Sequence, residues 1–223
     1  MKKLLLFMLL IMSAMLNVHG QSASHRNELT AEEKRVLINK GTERPFIGKY
    51  TDNKEKGTYT CKWCDAPAIF AGGCFWGVQH FFDKAPGVLK SEVGYTGGTK
   101  ANPTYKEVCA HTTGHVEAIK VTYDPQKTSY EAMAKLFFEI HDPTQTNGQG
   151  PDLGPQYLSE VFYADENQKA TAEKLIGLLK QKGYKVVTRV RPAVTFWPAE
   201  EYHQEYYEKT GGTPYCHMYT KRF

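Results

Sequence analysis

The sequence predicts an α/β fold, a two-layer α+β sandwich in which a mixed sheet carries flanking helices. Strand and helix patterns alternate along most of the chain. Apolar residues make up 41% of the 223 residues and charged residues 23%, which is enough apolar material for a core and excludes a disordered chain. The chain holds no GxGxxG motif and no P-loop, so we expect no nucleotide cofactor.

The pattern of apolar residues assigns the elements in chain order. Short apolar or alternating runs predict strands at residues 68–71, 89–95, 116–123, 159–163 and 186–190. Apolar residues at helical spacing predict helices at residues 74–84, 130–141, 166–182 and 199–209. Proline and glycine recur in residues 142–156, so we expect a long loop there, and residues 210–223 are expected to form an irregular C-terminal tail.

The first twenty residues have the pattern of a cleavable secretory signal. Lys2 and Lys3 form a positive start, and an apolar stretch from Leu4 to Leu16 follows. This stretch is too short to span a bilayer, and a cut after Gly20 would release the chain. We therefore expect an exported protein, periplasmic or secreted, without stable membrane insertion. The polar residues 21–28 that follow are expected to form a linker.

Charge excludes one class of partner. The chain carries 28 Lys+Arg against 24 Asp+Glu, a formal net charge of +4. Loss of Lys2 and Lys3 with the signal would leave about +2, which is too weakly basic to favour nucleic-acid binding. We expect a monomer that acts on small molecules or proteins.

Cys74 is the first candidate for chemistry, because it lies between a two-glycine turn and the start of an expected helix. Unpaired N–H groups and the helix dipole at such a position favour an anion and lower the pKa of a thiol. Phe75 and Trp76 follow directly, and an aromatic surface suits a soft apolar group such as an S-methyl. These residues alone fit a reactive thiolate and an inert buried cysteine equally well.

The segment Gly73-Cys74-Phe75-Trp76-Gly77 resembles the signature of the A-type peptide methionine sulfoxide reductases, and the likeness extends over residues 68–223. Further matching segments are Gly94-Tyr-Thr-Gly-Gly98, Asn102-Pro-Thr-Tyr105, Thr113-Gly-His-Val-Glu117, His141-Asp-Pro-Thr144, Gln149-Gly-Pro-Asp152, Gln156-Tyr157, Phe196-Trp-Pro198 and Tyr215-Cys216-His217. The resemblance implies a ferredoxin-like plait. It also implies an oxidoreductase that reduces the S epimer of methionine sulfoxide, free or in oxidised proteins.

The resemblance implies three catalytic residues. Cys74 matches the nucleophile that attacks the sulfoxide sulfur, Glu117 the acid that protonates the oxygen, and Cys216 the resolving cysteine. A buried carboxyl has a raised pKa and can supply that proton, and the sulfenic acid left on Cys74 can condense with a nearby thiol. The glycines before Cys216 suit a segment that swings in. A thioredoxin-like dithiol is the expected reductant, with no metal and no other cofactor.

The resemblance also implies a binding site. Phe75 and Trp76 match the aromatic pocket for the methyl group. Tyr105, Asp152 and Tyr157 match the polar partners that position the sulfoxide oxygen. In isolation, such tyrosines and aspartates are typical of structural positions and turns, so these assignments depend on the surrounding motifs.

Residues 29–66 are similar to the opening of the B-type methionine sulfoxide reductases. In that family, Cys61 and Cys64 would form half of a four-cysteine zinc site, but no second CxxC follows here. The sequence therefore disfavours zinc and favours a Cys61–Cys64 disulfide in an exported protein. A relay of reducing equivalents from this pair to Cys74 and Cys216 is a further hypothesis. The predicted organisation is a signal (1–20), a linker (21–28), a truncated B-type segment (29–66) and an A-type catalytic domain (67–223).

Three alternatives to this function remain at the level of sequence. One is a bifunctional enzyme that reduces both epimers. Another is a zinc-ribbon-like interaction module on an inactive reductase scaffold, and the third is a thiol–disulfide oxidoreductase built on Cys61 and Cys64. Two other residues are expected to be structural: Cys109 as an unreactive buried thiol, and His115 as a residue that orients neighbouring backbone.

Overall fold

The computed structural model describes residues 30–32, 35 and 67–223. The strands are β1 (Ala68–Gly72), β2 (Val88–Thr96), β3 (Val116–Tyr123), β4 (Gly148–Gln149), β5 (Asp152–Leu153), β6 (Ser159–Tyr163), β7 (Arg189–Pro192) and β8 (Trp197–Pro198). The α-helices are α1 (Phe75–Asp83), α2 (Tyr105–Cys109), α3 (Tyr130–Ile140), α4 (Glu166–Gln181) and α5 (Tyr206–Thr210). Two 3₁₀ turns cover Pro155–Tyr157 and Glu201–His203.

Six strands form one mixed sheet in the order β7-β6-β1-β3-β2-β8, and β4 and β5 form a separate hairpin. All neighbouring pairs of the large sheet are antiparallel except β6 and β7, which are parallel. The inner strands β6-β1-β3-β2, with α1 after β1 and α3 after β3, have the connectivity of a ferredoxin-like plait. The predicted α/β class, the mixed sheet with flanking helices and the plait are confirmed.

The main core lies between the sheet and the helices α1, α3 and α4. Phe70 of the central strand stacks on Phe82 of α1 and on Phe137 of α3, at ring-centroid distances of 5.7 and 4.9 Å. Ser129 and Asp165 begin α3 and α4 as N-caps, since their side chains accept hydrogen bonds from the third helical N–H. The plait is thus fixed around β1, the strand that leads directly to Cys74.

Two expected elements differ from the structure. The strand expected at residues 186–190 lies at Arg189–Pro192, because Val187 N–H donates to the carbonyl of Pro143 outside the sheet. The helix expected at residues 199–209 is broken into a 3₁₀ turn and α5. Glu205 is left-handed there, with φ of 54°, and its N–H donates to the side chain of Gln79. A tertiary contact therefore overrides the helical pattern.

The N-terminal predictions fall almost entirely outside the described residues. The signal, the linker, Cys61 and Cys64 lie there, so the organisation of residues 1–66 stays a prediction. Ala31, Glu32 and Arg35 are helical, and Arg35 pairs with Glu32 at 2.6 Å. In the part of the chain that the structure describes, none of the helices combines the length and the apolar character that crossing a bilayer requires.

Candidate active site

Cys74 lies in the turn between β1 and α1, immediately before the first helical residue. Gly73 makes the turn with φ of +96°, and a Cβ there would lie 2.4 Å from the Cβ of Gln149, so the position requires glycine. The thiol is 6% exposed. The pKa of Cys74 is lowered by a hydrogen bond from the thiol of Cys216 and by the N–H groups of Trp76 and Gly77, which together outweigh burial. The predicted activation at a helix start is therefore present, but Cys216 contributes most.

Glu117 lies on β3 and is 1% exposed. Its Oε2 accepts a hydrogen bond from the backbone N–H of Phe75 at 3.0 Å, which places the carboxyl group beside the nucleophile turn. Burial, followed by the charge of Cys74, raises the pKa of Glu117 well above its usual range, although the Phe75 N–H opposes the shift. The raised pKa favours the protonated carboxyl group, which can donate a proton.

Tyr105 and Tyr157 supply two hydroxyl groups near this carboxyl. Tyr105 begins α2, and Tyr157 ends the 3₁₀ turn that follows β5. Burial raises the pKa of both phenols, and the charge of Glu117 raises it further. Both side chains therefore remain hydrogen-bond donors across the physiological pH range.

An aromatic cluster lies beside the nucleophile. Phe75 is buried, and Trp76 stacks face to face on Tyr206 with ring centroids 3.8 Å apart. The Trp76 indole N–H donates to Nδ1 of His203 at 3.0 Å, and the His203 ring also packs against Phe75 and Tyr105. His203 is 1% exposed. The cluster offers an apolar surface with a fixed orientation, as the S-methyl hypothesis requires.

Cys216 is already seated beside Cys74. The two sulfurs and a carboxylate oxygen of Asp152 all lie within 4.8 Å of one another. Both cysteines are free thiols, and Cys216 is 6% exposed. The hydrogen bond to Cys74, followed by burial, raises the pKa of Cys216 far above its usual range. The expectation that the tail swings in is therefore corrected. Contacts within the fold hold the resolving thiol near the nucleophile before any oxidation.

Asp152 borders both the thiol pair and the rim of the site. Its Oδ1 accepts a hydrogen bond from the hydroxyl of exposed Tyr215 at 3.0 Å, whereas its buried Oδ2 has no protein partner. The oxygen atom is thus available to a substrate. Within the described residues, this carboxylate and the two thiols are the one group that could also hold a thiophilic cation, with three of the four ligands usual for zinc.

His115 and Cys109 are the two residues expected to be structural. His115 accepts the Gly98 N–H at Nδ1 and contacts the Lys100 carbonyl through Nε2, at 3.0 and 2.8 Å, so the predicted orientation of backbone is confirmed. Cys109 is half-buried rather than buried, because it ends the short helix α2. Burial raises the pKa of Cys109, which keeps this cysteine a thiol.

The sequence of this chain is similar to those of known proteins. Residues 66–223 match the family model described as peptide methionine sulfoxide reductase. The chain belongs to this family. A curated relative from Nautilia profundicola, named peptide methionine sulfoxide reductase MsrA, is 49% identical over 149 residues, 67% of this chain and 86% of the relative. Reduction of methionine sulfoxide is therefore the activity of this oxidoreductase.

Solved structures of the peptide methionine sulfoxide reductase family agree with the fold. The reduced form of Mxr1 from Saccharomyces cerevisiae superposes with a TM-score of 0.65 at 33% identity, covering 72% of this chain and 93% of that one. Methionine sulfoxide reductase A of Corynebacterium diphtheriae gives 0.59 at 32% identity, covering 66% and 75%.

The structure brings all eight predicted site residues of this reductase into one region. They are Cys74, Phe75, Trp76, Tyr105, Glu117, Asp152, Tyr157 and Cys216. Sequence reasoning missed three residues: His203 and Tyr206 in the aromatic cluster, and His217 beside Cys216. The run of aromatic residues around His203 was the available signal for the first two, but it was absorbed into an expected helix.

Proposed function

We propose that this reductase acts on the S epimer of methionine sulfoxide, with the Cys74 thiolate attacking sulfur while Glu117 protonates the departing oxygen. The observation that carries the proposal is the Phe75 N–H bond to Glu117 at 3.0 Å, since Phe75 directly follows Cys74. A single turn therefore ties the nucleophile to the acid. The lowered pKa of Cys74 favours the thiolate and the raised pKa of Glu117 favours the acid, which are the forms that the step requires.

The surrounding side chains orient the substrate. Phe75 and Trp76 offer the apolar surface for the methyl group, and the hydroxyls of Tyr105 and Tyr157 lie toward Glu117, where the oxygen must be bound. Asp152, with one oxygen unpartnered, completes the polar side. The site fixes the methyl group, the sulfoxide oxygen and the direction of thiolate attack at three separate places. Such a site accepts one configuration at sulfur. This supports reduction of one epimer rather than both.

The second half of the cycle closes a disulfide. After methionine leaves, Cys74 carries a sulfenic acid, and attack by Cys216 on that sulfur releases water. The separation of at most 4.8 Å must shrink to a bond of about 2 Å, which requires only local movement. A thioredoxin-like dithiol then attacks the disulfide and restores both thiols. Exposed Tyr215, next to Cys216, lies where such a partner would approach.

We further propose that the enzyme is exported as a monomer after cleavage following Gly20. Lys2, Lys3 and the apolar stretch behind them support export. Oxidised proteins and free methionine sulfoxide outside the cytoplasm would then be the substrates. The mass of the chain recovered from fractionated cells tests this: a chain that begins at Gln21 in the exported fraction supports it, and an uncleaved chain in the cytoplasm contradicts it.

The enzymatic proposal is tested by turnover of separately prepared S and R epimers with dithiothreitol. We expect the wild type to reduce the S epimer alone, and Cys74→Ser to reduce neither. Turnover of the R epimer would support the bifunctional alternative. Loss of S activity in a matched serine variant of half-buried Cys109 would contradict the assignment of Cys74 as the sole nucleophile.

A further inference from the structure

His217 directly follows the resolving cysteine and is buried, with 6% exposure. Its Nε2 lies 2.7 Å from the carbonyl oxygen of Gly72, the last residue of β1. Its Nδ1 lies 3.2 Å from the sulfur of Cys216. A carbonyl oxygen can only accept, so Nε2 must carry the proton. The lone pair of Nδ1 therefore faces the thiol of Cys216.

The ring is held in a notch that glycines create. A Cβ at Gly77 would lie 2.3 Å from Nδ1 of His217, and a Cβ at Gly73 would lie 3.4 Å from its Cε1. The imidazole thus packs against the same turn and helix start that present Cys74. The contact with Gly72 connects the tail to the nucleophile segment, and the contact with Cys216 lies within the tail.

The resolving step requires that the Cys216 thiol lose its proton. The thiolate is the nucleophile in such reactions, yet the pKa of Cys216 is raised by its hydrogen bond to Cys74, by burial and by Asp152. In the reduced enzyme the single proton of Cys216 can go to the Cys74 thiolate, to Asp152 or to His217. Conversion of Cys74 to a sulfenic acid removes the thiolate acceptor. Of the two that remain, an imidazole is ordinarily a stronger base than a carboxylate.

We propose that His217 is the general base of the resolving step, accepting the Cys216 proton at Nδ1 as the disulfide forms. This rests on the proposed function of Cys74 and Cys216. The Cys216 sulfur attacks the sulfur of the Cys74 sulfenic acid, an S–S bond forms and the S–O bond breaks. The proton held at Nδ1 passes to the departing hydroxide and completes a water molecule. The sulfoxide has already supplied the oxidising equivalents, so no further reagent enters.

The charged and titratable surroundings of the ring fit this role. Cys216 and Asp152 face it from the active site, and His141 at the end of α3 faces it from within the fold. Burial lowers the pKa of His217, although the Gly72 carbonyl and Asp152 oppose the shift. The imidazole is therefore neutral near neutral pH, and its lone pair is free to accept a proton.

The test separates the two chemical steps in His217→Gln. A glutamine amide can still donate to the Gly72 carbonyl but cannot act as a base. Reduced enzyme is mixed with one equivalent of the S epimer, and methionine release and loss of thiols are followed separately. We expect one methionine per chain at the wild-type rate, but disulfide formation slowed about a hundredfold. Dimedone should then trap the sulfenic acid on Cys74.

The pH dependence of the rate of disulfide formation gives a second measurement. A purely structural role of His217 would leave this pH dependence unchanged. In the wild type, disulfide formation should be nearly constant from pH 7 to 9, because neutral imidazole is the base throughout. In His217→Gln it should rise about tenfold per pH unit, since only solvent hydroxide then removes the proton. Met218→Gln, at the exposed next position, is the matched control and should behave as the wild type.

Each outcome decides the proposal. A His217→Gln enzyme that forms the disulfide within twofold of the wild-type rate, with the same pH profile, would overturn it in favour of Asp152 or solvent as the base. A normal methionine burst shows that the variant is folded. Failure of the wild type itself to release methionine would instead refute the proposed function of Cys74.

Discussion

The segment that carries Cys74 and the tail that carries Cys216 are held in place by different means. Cys74 follows the fully buried central strand β1, which is hydrogen-bonded to β3 and β6, and it precedes α1. Cys216 lies in a stretch with neither helix nor strand. Regular backbone structure therefore positions the nucleophile, whereas side-chain contacts position the resolving thiol.

Several side-chain contacts hold the tail against the rest of the fold. His217 bonds to the Gly72 carbonyl, and the carboxylate of buried Glu139 accepts the N–H groups of Arg222 and Phe223 at 2.9 and 3.2 Å. Lys182 also donates to the carbonyl of Arg222. The strand β1 and the helix α1 present Cys74, whereas these tail contacts place Cys216, so changes to the tail should separate the resolving step from the first chemical step.

The largest expected effect distinguishes the two cysteines directly. Cys74→Ser should abolish reduction of methionine sulfoxide under all conditions, because Cys74 directly precedes Phe75, whose N–H donates to Glu117. Cys216→Ser should release one methionine per chain in a single turnover and then lose thioredoxin-supported turnover. The measurement is methionine release with and without thioredoxin. Sustained thioredoxin-supported turnover by Cys216→Ser would show that another thiol resolves the sulfenic acid.

The next effect concerns the acid of the nucleophile segment. Glu117→Gln keeps an acceptor for the Phe75 N–H but cannot donate the proton, so methionine release should fall about 10²- to 10⁴-fold. In the wild type, the acid form of Glu117 is lost as pH rises through its raised pKa, and the rate should fall there. Rapid-quench methionine release across pH measures both. An unchanged alkaline limb in Glu117→Gln would exclude Glu117 as the acid.

A glycine pair tests the junction between the two regions. Gly77→Ala puts a methyl group 2.3 Å from Nδ1 of His217, so the ring must move. We expect a loss of about 1–3 kcal/mol in the free energy of unfolding and about tenfold slower disulfide formation. The matched control is Gly177→Ala in α4, where nothing lies within 4 Å of the new methyl group.

This control should gain up to about 1 kcal/mol in unfolding free energy, as alanine exceeds glycine in helix propensity, with both chemical steps unchanged. Urea unfolding and single-turnover thiol loss provide the measurements. Equal disulfide rates in the two alanine variants would mean that the position of His217 does not control the step.

The smallest effect comes from the far end of the tail. Glu139→Ala removes the acceptor of two backbone N–H groups and should lower the free energy of unfolding by about 2 kcal/mol. Disulfide formation should slow a few-fold while methionine release stays unchanged. The control is Glu173→Ala on the exposed side of α4, expected to stay within about 0.5 kcal/mol of the wild type. Slower methionine release in Glu139→Ala would contradict the separation of the two steps.

The same contrast explains what could be predicted from sequence. The strand 116–123 and the helix from Glu166 follow apolar periodicity closely, and the smaller part of the activation of Cys74 follows from its place before a helix. The roles of Glu117, Asp152 and the two tyrosines came from motif resemblance, because no local rule distinguishes them from structural residues. Their convergence depends on the register of β3 against β1 and on the hairpin around Asp152.

The features that sequence reasoning missed depend on tertiary contacts. His203 contacts Trp76 across 127 positions of sequence, and the left-handed Glu205 that breaks the expected helix bonds to Gln79. The position of Cys216 depends on His217 fitting the notch beside Gly73 and Gly77. The glycines before Cys216 suggested mobility, whereas the residues after it bind the tail to the rest of the fold. No periodic pattern encodes such contacts.

The central claim is that the two regions act in sequence, with Cys74 oxidised first and Cys216 closing the disulfide. The most direct measurement is a rapid-quench single turnover with the S epimer, followed by peptide mapping of the disulfide. The account predicts one methionine per chain and a Cys74–Cys216 disulfide, with a Cys74 sulfenic acid preceding it. Methionine release accompanied by a disulfide that excludes Cys74, such as one between Cys61 and Cys64 alone, would contradict it.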